Sequence, residues 1–128
     1  MGDGEWVMGD GVRPHYNLVA WKESMALVKA VYLASQNFPK EEVYGLTSQI
    51  RRAAVSVPSN LAEGAARTGQ REFAQFLSIA RGSLSELETQ LLIAVELGYL
   101  AQAHTIFPLL ERVSRLITGL HKKITSHP

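Results

Sequence analysis

The stretch GAARTGQR, residues 64 to 71, has the glycine spacing of a loop that wraps phosphate. Such a loop needs a lysine to reach the outer phosphates and a hydroxyl for the metal ion, and it follows a β-strand. Here Gln70 and Arg71 occupy those two places and both flanks read as helix, so a nucleotide site is not expected. The four histidines, His15, His104, His121 and His127, show no HExxH or other ligand spacing, and the chain has no cysteine. A metal site is therefore not expected either. Ser83 and Ser85 lack a partner base at sequence level, and Glu86 and Glu88 fall on different faces of a helix, where they cannot work as an acid–base pair. No catalytic residue, cofactor or small-molecule substrate emerges.

Basic residues are the stronger signal. Arg67, Arg71 and Arg81 flank one turn and the start of the next helix, while Arg112, Arg115, Lys122 and Lys123 make the C-terminal helix basic. Ordinary helix-surface charge accounts for them, the late lysines being favourable at the negative end of the helix dipole. The functional alternative is a phosphate-contacting rim to which Arg51, placed on the outer face, would add. The chain as a whole supplies no general attraction for nucleic acid, because 13 basic residues stand against 12 acidic ones, a net charge of +1. No aromatic residues interleave with the cations as a base-stacking surface requires.

Those side chains must be positioned by 128 residues, 46% hydrophobic and 20% charged. That suits one globular domain with a core large enough to stand without staples. The absence of cysteine fits a reducing compartment. No window has the ~18 apolar residues of a membrane span, and the first residues lack the basic and apolar regions of a secretory signal. A bacterial cytoplasm is the expected location, with no membrane partner.

Residues 1 to 16 are rich in Gly and Asp and read as a flexible arm, in which Trp6 could dock locally; an extension foreign to the gene explains them equally well. From Asn17, an expected N-cap, Leu18, Trp21, Met25, Val28 and Tyr32 recur at threes and fours, predicting an amphipathic helix to about Gln36. Pro39 then opens a short helical entry with acids near its positive end. A second helix carries Leu46, Ile50, Ala53, Val57 and Leu61. The third, from Gln70, carries Phe73, Phe76/Leu77, Ala80, Leu84, Leu87, Leu91 and Ala94, and stops at Gly98 as a left-handed terminator. The fourth spans roughly Gln102 to Thr125 with Ile106, Leu109, Val113, Leu116, Leu120 and Ile124, and Thr105 could be its true cap. Short connections between four amphipathic helices predict an all-α, up-and-down antiparallel four-helix bundle over residues 17 to 126.

The second helix carries two rows. Beside its apolar line runs a polar one: Gln49, Arg52, Ser56, Ser59, Glu63 and Arg67. Pro58 lies between the rows and is expected to kink the helix around Ala54 to Val57, a complete break being the alternative. Glu63 and Arg67 form an i,i+4 pair on a solvated face in the simplest reading. The sharper reading is a subunit seam, with Arg52, Asn60 and Glu63 networked across chains. LLIAV at 91 to 95 supports it, since apolar residues on every side of a helix exceed what one bundle can bury.

These same residues carry a resemblance. FPKEEVYGLTSQIRRAAVSVPSNLAEGAAR followed by REFAQFLSIARGSLSELETQL resembles the four-helix bundle proteins named for the 23S rRNA intervening sequences that encode some of them. The superfamily also holds the accessory variability determinants of diversity-generating retroelements. The likeness runs from about Leu18 to Leu120, and its signature positions here are Gln49, Arg51, Arg52, Pro58, Asn60, Glu63, Gly64, Arg67, Phe73, Gly82, Ser83, Glu86 and Glu88. It implies a homopentameric barrel of four-helix protomers without known catalytic activity. For the retroelement relatives it also implies binding to a reverse transcriptase and nucleic acid through basic surface. Those relatives are far more basic than this chain. The expected partners are thus further copies of the chain, and RNA or a nucleic-acid-binding protein; the alternative is a protein-interaction module with no affinity for nucleic acid.

Overall fold

In a computed structural model the described residues, 13 to 126, form four α-helices: α1 Val19–Ser35, α2 Leu46–Ala65, α3 Gln70–Glu96 and α4 Ile106–Thr125. Two 3-10 turns, Pro14–Asn17 and Lys40–Glu42, precede α1 and α2, and no strand occurs among the described residues. Most of the arm expected at the N-terminus lies outside them; its last three residues, Pro14 to Tyr16, belong to the first turn, which packs on α1 and α2.

Each helix packs on two neighbours, α2 on α1 and α3, α4 on α3 and α1. That is the square section of a four-helix bundle. Direction follows from the bridging pairs: Gly64 of α2 meets Phe73 and Phe76 near the start of α3, while Ser56 meets Ser83 farther along it. One number falls as the other rises, so the two run antiparallel. The core holds Leu27, Ile50, Leu61, Leu77, Leu87 and Ile117, each shut off from solvent. Buried serines cost little here, because Ser24 and Ser35 donate to the carbonyls of Trp21 and Val31 at 2.7 Å each.

The apolar lines expected of α2 and α3 are the buried lines, apart from the half-buried Leu46, Phe73 and Phe76. Two expectations change for the outer helices. In α1 the buried line is Ala20, Trp21, Ser24, Leu27 and Val31; Met25 and Val28 are half-buried and Tyr32 is 41% exposed. The helix has apolar residues on two adjoining faces, and its position between α2 and α4 selects the other one. In α4 likewise Leu110 and Ile117 are buried, whereas Leu109, Leu116 and Leu120 are half-buried.

The helix ends correct the sequence in detail. Leu18, not Asn17, occupies the N-cap of α1, with no side-chain cap. Thr105 does take the N-cap of α4, but the capping acceptor is His104, whose Nδ1 receives the Ile106 amide at 3.0 Å. At the end of α3 Gly98 has φ +80°, the Gly98 amide donates to Val95 and the Tyr99 amide to Ala94. This six-to-one closure needs the left-handed residue that glycine supplies without strain. Pro58 is buried inside an α2 that continues to Ala65, so the helix does not break there.

Candidate assembly surface

The polar row of α2 divides once placed in the bundle. Ser56 turns toward α3 and pairs with Ser83 at 2.8 Å. Asn60, half-buried, donates to the Ser56 carbonyl at 2.8 Å and to its hydroxyl at 3.0 Å. Both bonds stay within α2 and hold the Ser56 hydroxyl that meets Ser83. Glu63 accepts from Arg67 at 3.0 Å, the i,i+4 pair expected, and the Arg67 guanidinium lies 5.1 Å from the centre of the Phe76 ring. Gln49, Arg52 and Ser59 are exposed, and among the described residues Arg52 has no hydrogen-bond or ion-pair partner. Gly64 is buried because nothing larger fits: a Cβ there would stand 2.7 Å from Phe76 Cβ and 3.0 Å from Phe73 Cδ1. Pro58 is buried on the side toward α1.

Arg51 is not on the outer face. It is half-buried, its Nε donates to Ser35 Oγ at 2.9 Å, its Nη2 to the Tyr32 carbonyl at 3.3 Å, and the guanidinium stacks 4.6 Å from the Tyr32 ring centre. It caps the C-terminal end of α1, where unpaired carbonyls and the helix dipole favour a cation. The adjacent arginines therefore divide as tie and free cation. Of the remaining basic candidates, Arg112 is bound to Glu23 at 2.7 Å and Arg115 to Glu111 at 3.2 Å. Arg71, Arg81, Lys122 and Lys123 are exposed, with no ion pair among the described residues.

On α3 the LLIAV run splits as its periodicity requires. Leu91 and Ala94 are buried, while Leu92 and Ile93 stay 48% and 43% exposed. Ile93 continues a line that starts at Ile79 and passes Gly82 and Glu86 to Leu97; Ile79 and Leu97 are each about half exposed. At Gly82 an added Cβ would meet nothing within 4 Å. Nearby, Gln90 is buried with its Nε2 on Glu86 at 3.3 Å and its Oε1 without a partner.

A site the sequence reading missed joins the two connections at one end of the bundle. Glu42 Oε1 accepts the Leu46 amide at 3.1 Å, capping α2, and its Oε2 accepts the Tyr99 hydroxyl at 3.0 Å. Phe38, buried, lies 5.6 Å from the Tyr99 ring. The hydrogen bond to Glu42, then burial and the charges of Glu42 and Glu41, hold the Tyr99 proton on beyond its usual range. Glu42 was legible as an acid before a helix; Tyr99, 57 residues away, carried no local signal.

A family model for the 23S rRNA-intervening sequence protein matches residues 16 to 119. The chain belongs to the 23S rRNA-intervening sequence protein family. No curated protein matches it. Within the family frame Gly64, Ser83 and Phe73 occupy the α2–α3 seam, Asn60 holds Ser56 from within α2, and Glu86 orients the buried Gln90. Glu86 and Glu88 are both exposed. Among the described residues no group of His, Asp or Glu gathers as metal ligands, and no helix is long and apolar enough to cross a membrane. His127 lies outside the described residues. Ser78 and His121 approach to 3.3 Å in solvent, and among the described residues no carboxylate orients that imidazole.

Proposed function

We propose that this member of the 23S rRNA-intervening sequence family is a non-enzymatic, cytoplasmic scaffold whose protomers assemble through the outward faces of α2 and α3, closing as the pentameric ring that the family resemblance implies. The observation that carries the reading is Gly82. A glycine in the middle of a helix costs about 0.5–1 kcal/mol relative to alanine, and the protomer offers no reason for it, since a Cβ would meet nothing within 4 Å. With Ile79 and Ile93 exposed one and three turns away on the same line, it suits a close approach of another chain. The exposed Arg52 and Gln49 supply polar partners beside that line, and a head-to-tail contact between unlike faces closes into a ring when its rotation allows.

Light scattering tests this. The wild type is expected to run as an oligomer at micromolar concentration, and Gly82→Leu as a folded monomer; a monomeric wild type refutes the reading. A role beside RNA or a ribonucleoprotein rests on Arg71, Arg81, Lys122 and Lys123, which repetition around a ring would multiply. RNA affinity should then fall steeply with salt. A flat response would favour the second reading, a protein-interaction module without nucleic-acid affinity, toward which the internal pairing of Arg51, Arg67, Arg112 and Arg115 already leans.

A further inference from the structure

Gln90 occupies a core position without being apolar. It is 6% exposed, its Nε2 donates to Glu86 Oε2 at 3.3 Å, and its Oε1 finds no partner. A buried acceptor without a donor costs free energy, and an apolar side chain of the same shape would avoid that cost. What the amide does achieve is to hold the Glu86 carboxylate. Glu86 is exposed, and no cation among the described residues pairs with it. It lies on the outward line of α3 between Gly82 and Ile93. The protomer therefore carries a held acid on an open apolar line, with nothing set against either.

The complement lies on α2. Of its two cations, Arg51 is tied to the end of α1, whereas Arg52 is exposed and has no partner among the described residues. Height decides what Arg52 can meet. Ser56 faces Ser83 across the antiparallel seam; Arg52 lies four residues from the first and Glu86 three from the second, toward the same end of the bundle. At 1.5 Å per residue the two stand within about 2 Å of one another along the axis. No ion pair joins them inside the protomer. A contact that pairs them between copies therefore sets the copies side by side without axial offset, and a head-to-tail contact can close into a ring only without such an offset.

We propose that Arg52 of one copy binds the Glu86 carboxylate of the next, that Gln90 is the positioning residue which keeps this carboxylate in place, and that the pair sets the axial register of the assembly. The inference rests on assembly through α2 and α3 and adds to it the side chains that face one another. Hydrogen-bonding capacity matches: the guanidinium offers donors in a rigid fork, and Glu86 keeps its Oε1 unused. Glu63, the other acid on the outward side of α2, is already neutralised by Arg67.

Charge exchange in the full-length protein tests it. Arg52→Glu and Glu86→Arg each place like charges at the contact, and each should raise the concentration at which light scattering detects half-assembly about a hundredfold. Because each variant retains what the other lacks, mixing the two in equal amounts should restore assembly, as should both changes in one chain. Restoration by the double change but not by mixing would place the pair inside one protomer and overturn the proposal. Wild-type assembly by either single variant would overturn it too, while leaving assembly through α2 and α3 in place; a monomeric wild type would remove both. Gln90→Met, an apolar side chain of similar size, should weaken association yet leave the melting temperature of the dilute protomer equal or higher. A fall in both, as a merely structural role predicts, would overturn the positioning role, and so would unchanged association.

Discussion

The seam between α2 and α3 and the seam between α1 and α4 solve the same packing problem differently. At the first, glycine and small residues let the helices close until Gly64 faces Phe73 and Phe76 with no space for a methyl group, and Ser56 meets Ser83 directly. At the second, branched residues of α4 such as Val113 and Ile117 fill the interior, and the ion pair of Glu23 with Arg112 spans the outside, with the arginine 61% exposed. Shape holds one seam and side-chain reach supplements the other. Gly64, Phe73 and Ser83 of the family signature fall on the first, whereas four of the eight basic candidates fall on α4. The signature is thus only in part a record of how two helices approach, and its outward members remain available to a partner.

The contrast can be broken by substitution. Gly64→Ala should destabilise by about 1–3 kcal/mol through overpacking, despite a helix-propensity gain of about 1 kcal/mol, as read from the urea midpoint; a neutral or stabilising result would mean that α2 and α3 separate freely. Ser56→Ala should cost about 1 kcal/mol by leaving Ser83 and Asn60 short of a partner, while Ser56→Ala with Ser83→Ala should cost less than the sum of the two single changes. At the other seam Glu23→Gln should cost no more than about 0.5–1 kcal/mol and lose its effect in 1 M salt. A larger, salt-resistant loss would place that pair on the same footing as the small-residue seam.

The last test belongs to neither seam. Because Tyr99 holds its proton above the usual 10.0 when folded, the unfolded chain releases a proton first as pH rises. Stability from this bond is complete below that value and is lost as pH climbs through the folded one. Tyr99→Phe should remove this alkaline limb from the melting temperature. His15 acts at the opposite end of the scale. Burial and then the charge of Arg13 lower it below 6.5, so the unfolded chain takes up a proton first on acidification, and stability falls as pH drops through that range.

How much of this was legible follows from the range of each interaction. The spacing of Ile50, Val57 and Leu61, or of Leu77, Leu84 and Leu91, reports burial because α2 and α3 each present one apolar stripe. Gly98 declared the end of α3 because only its backbone freedom was needed. In α1 the same reading chose Met25 and Tyr32 over Leu27 and Val31, since two apolar stripes lie side by side and only the neighbours decide between them. Arg51 was misplaced for a related reason: its acceptors, Ser35 and the Tyr32 carbonyl, arrive from another helix. The polar row was recognised as continuous, yet its division into seam, ion pair and free surface depends on where α3 lies.

Glu42 binds the start of α2 with one oxygen and the residue just beyond α3 with the other. The first bond spans four residues and the second 57, so they belong to different stages of folding. The local cap can form as soon as α2 nucleates, whereas the Tyr99 bond waits until α3 has doubled back along α2. An interaction absent from the transition state acts on the unfolding rate alone. Tyr99→Phe should therefore steepen escape from the native state without slowing entry into it, and this small latch would set how long the bundle persists more than how fast it forms.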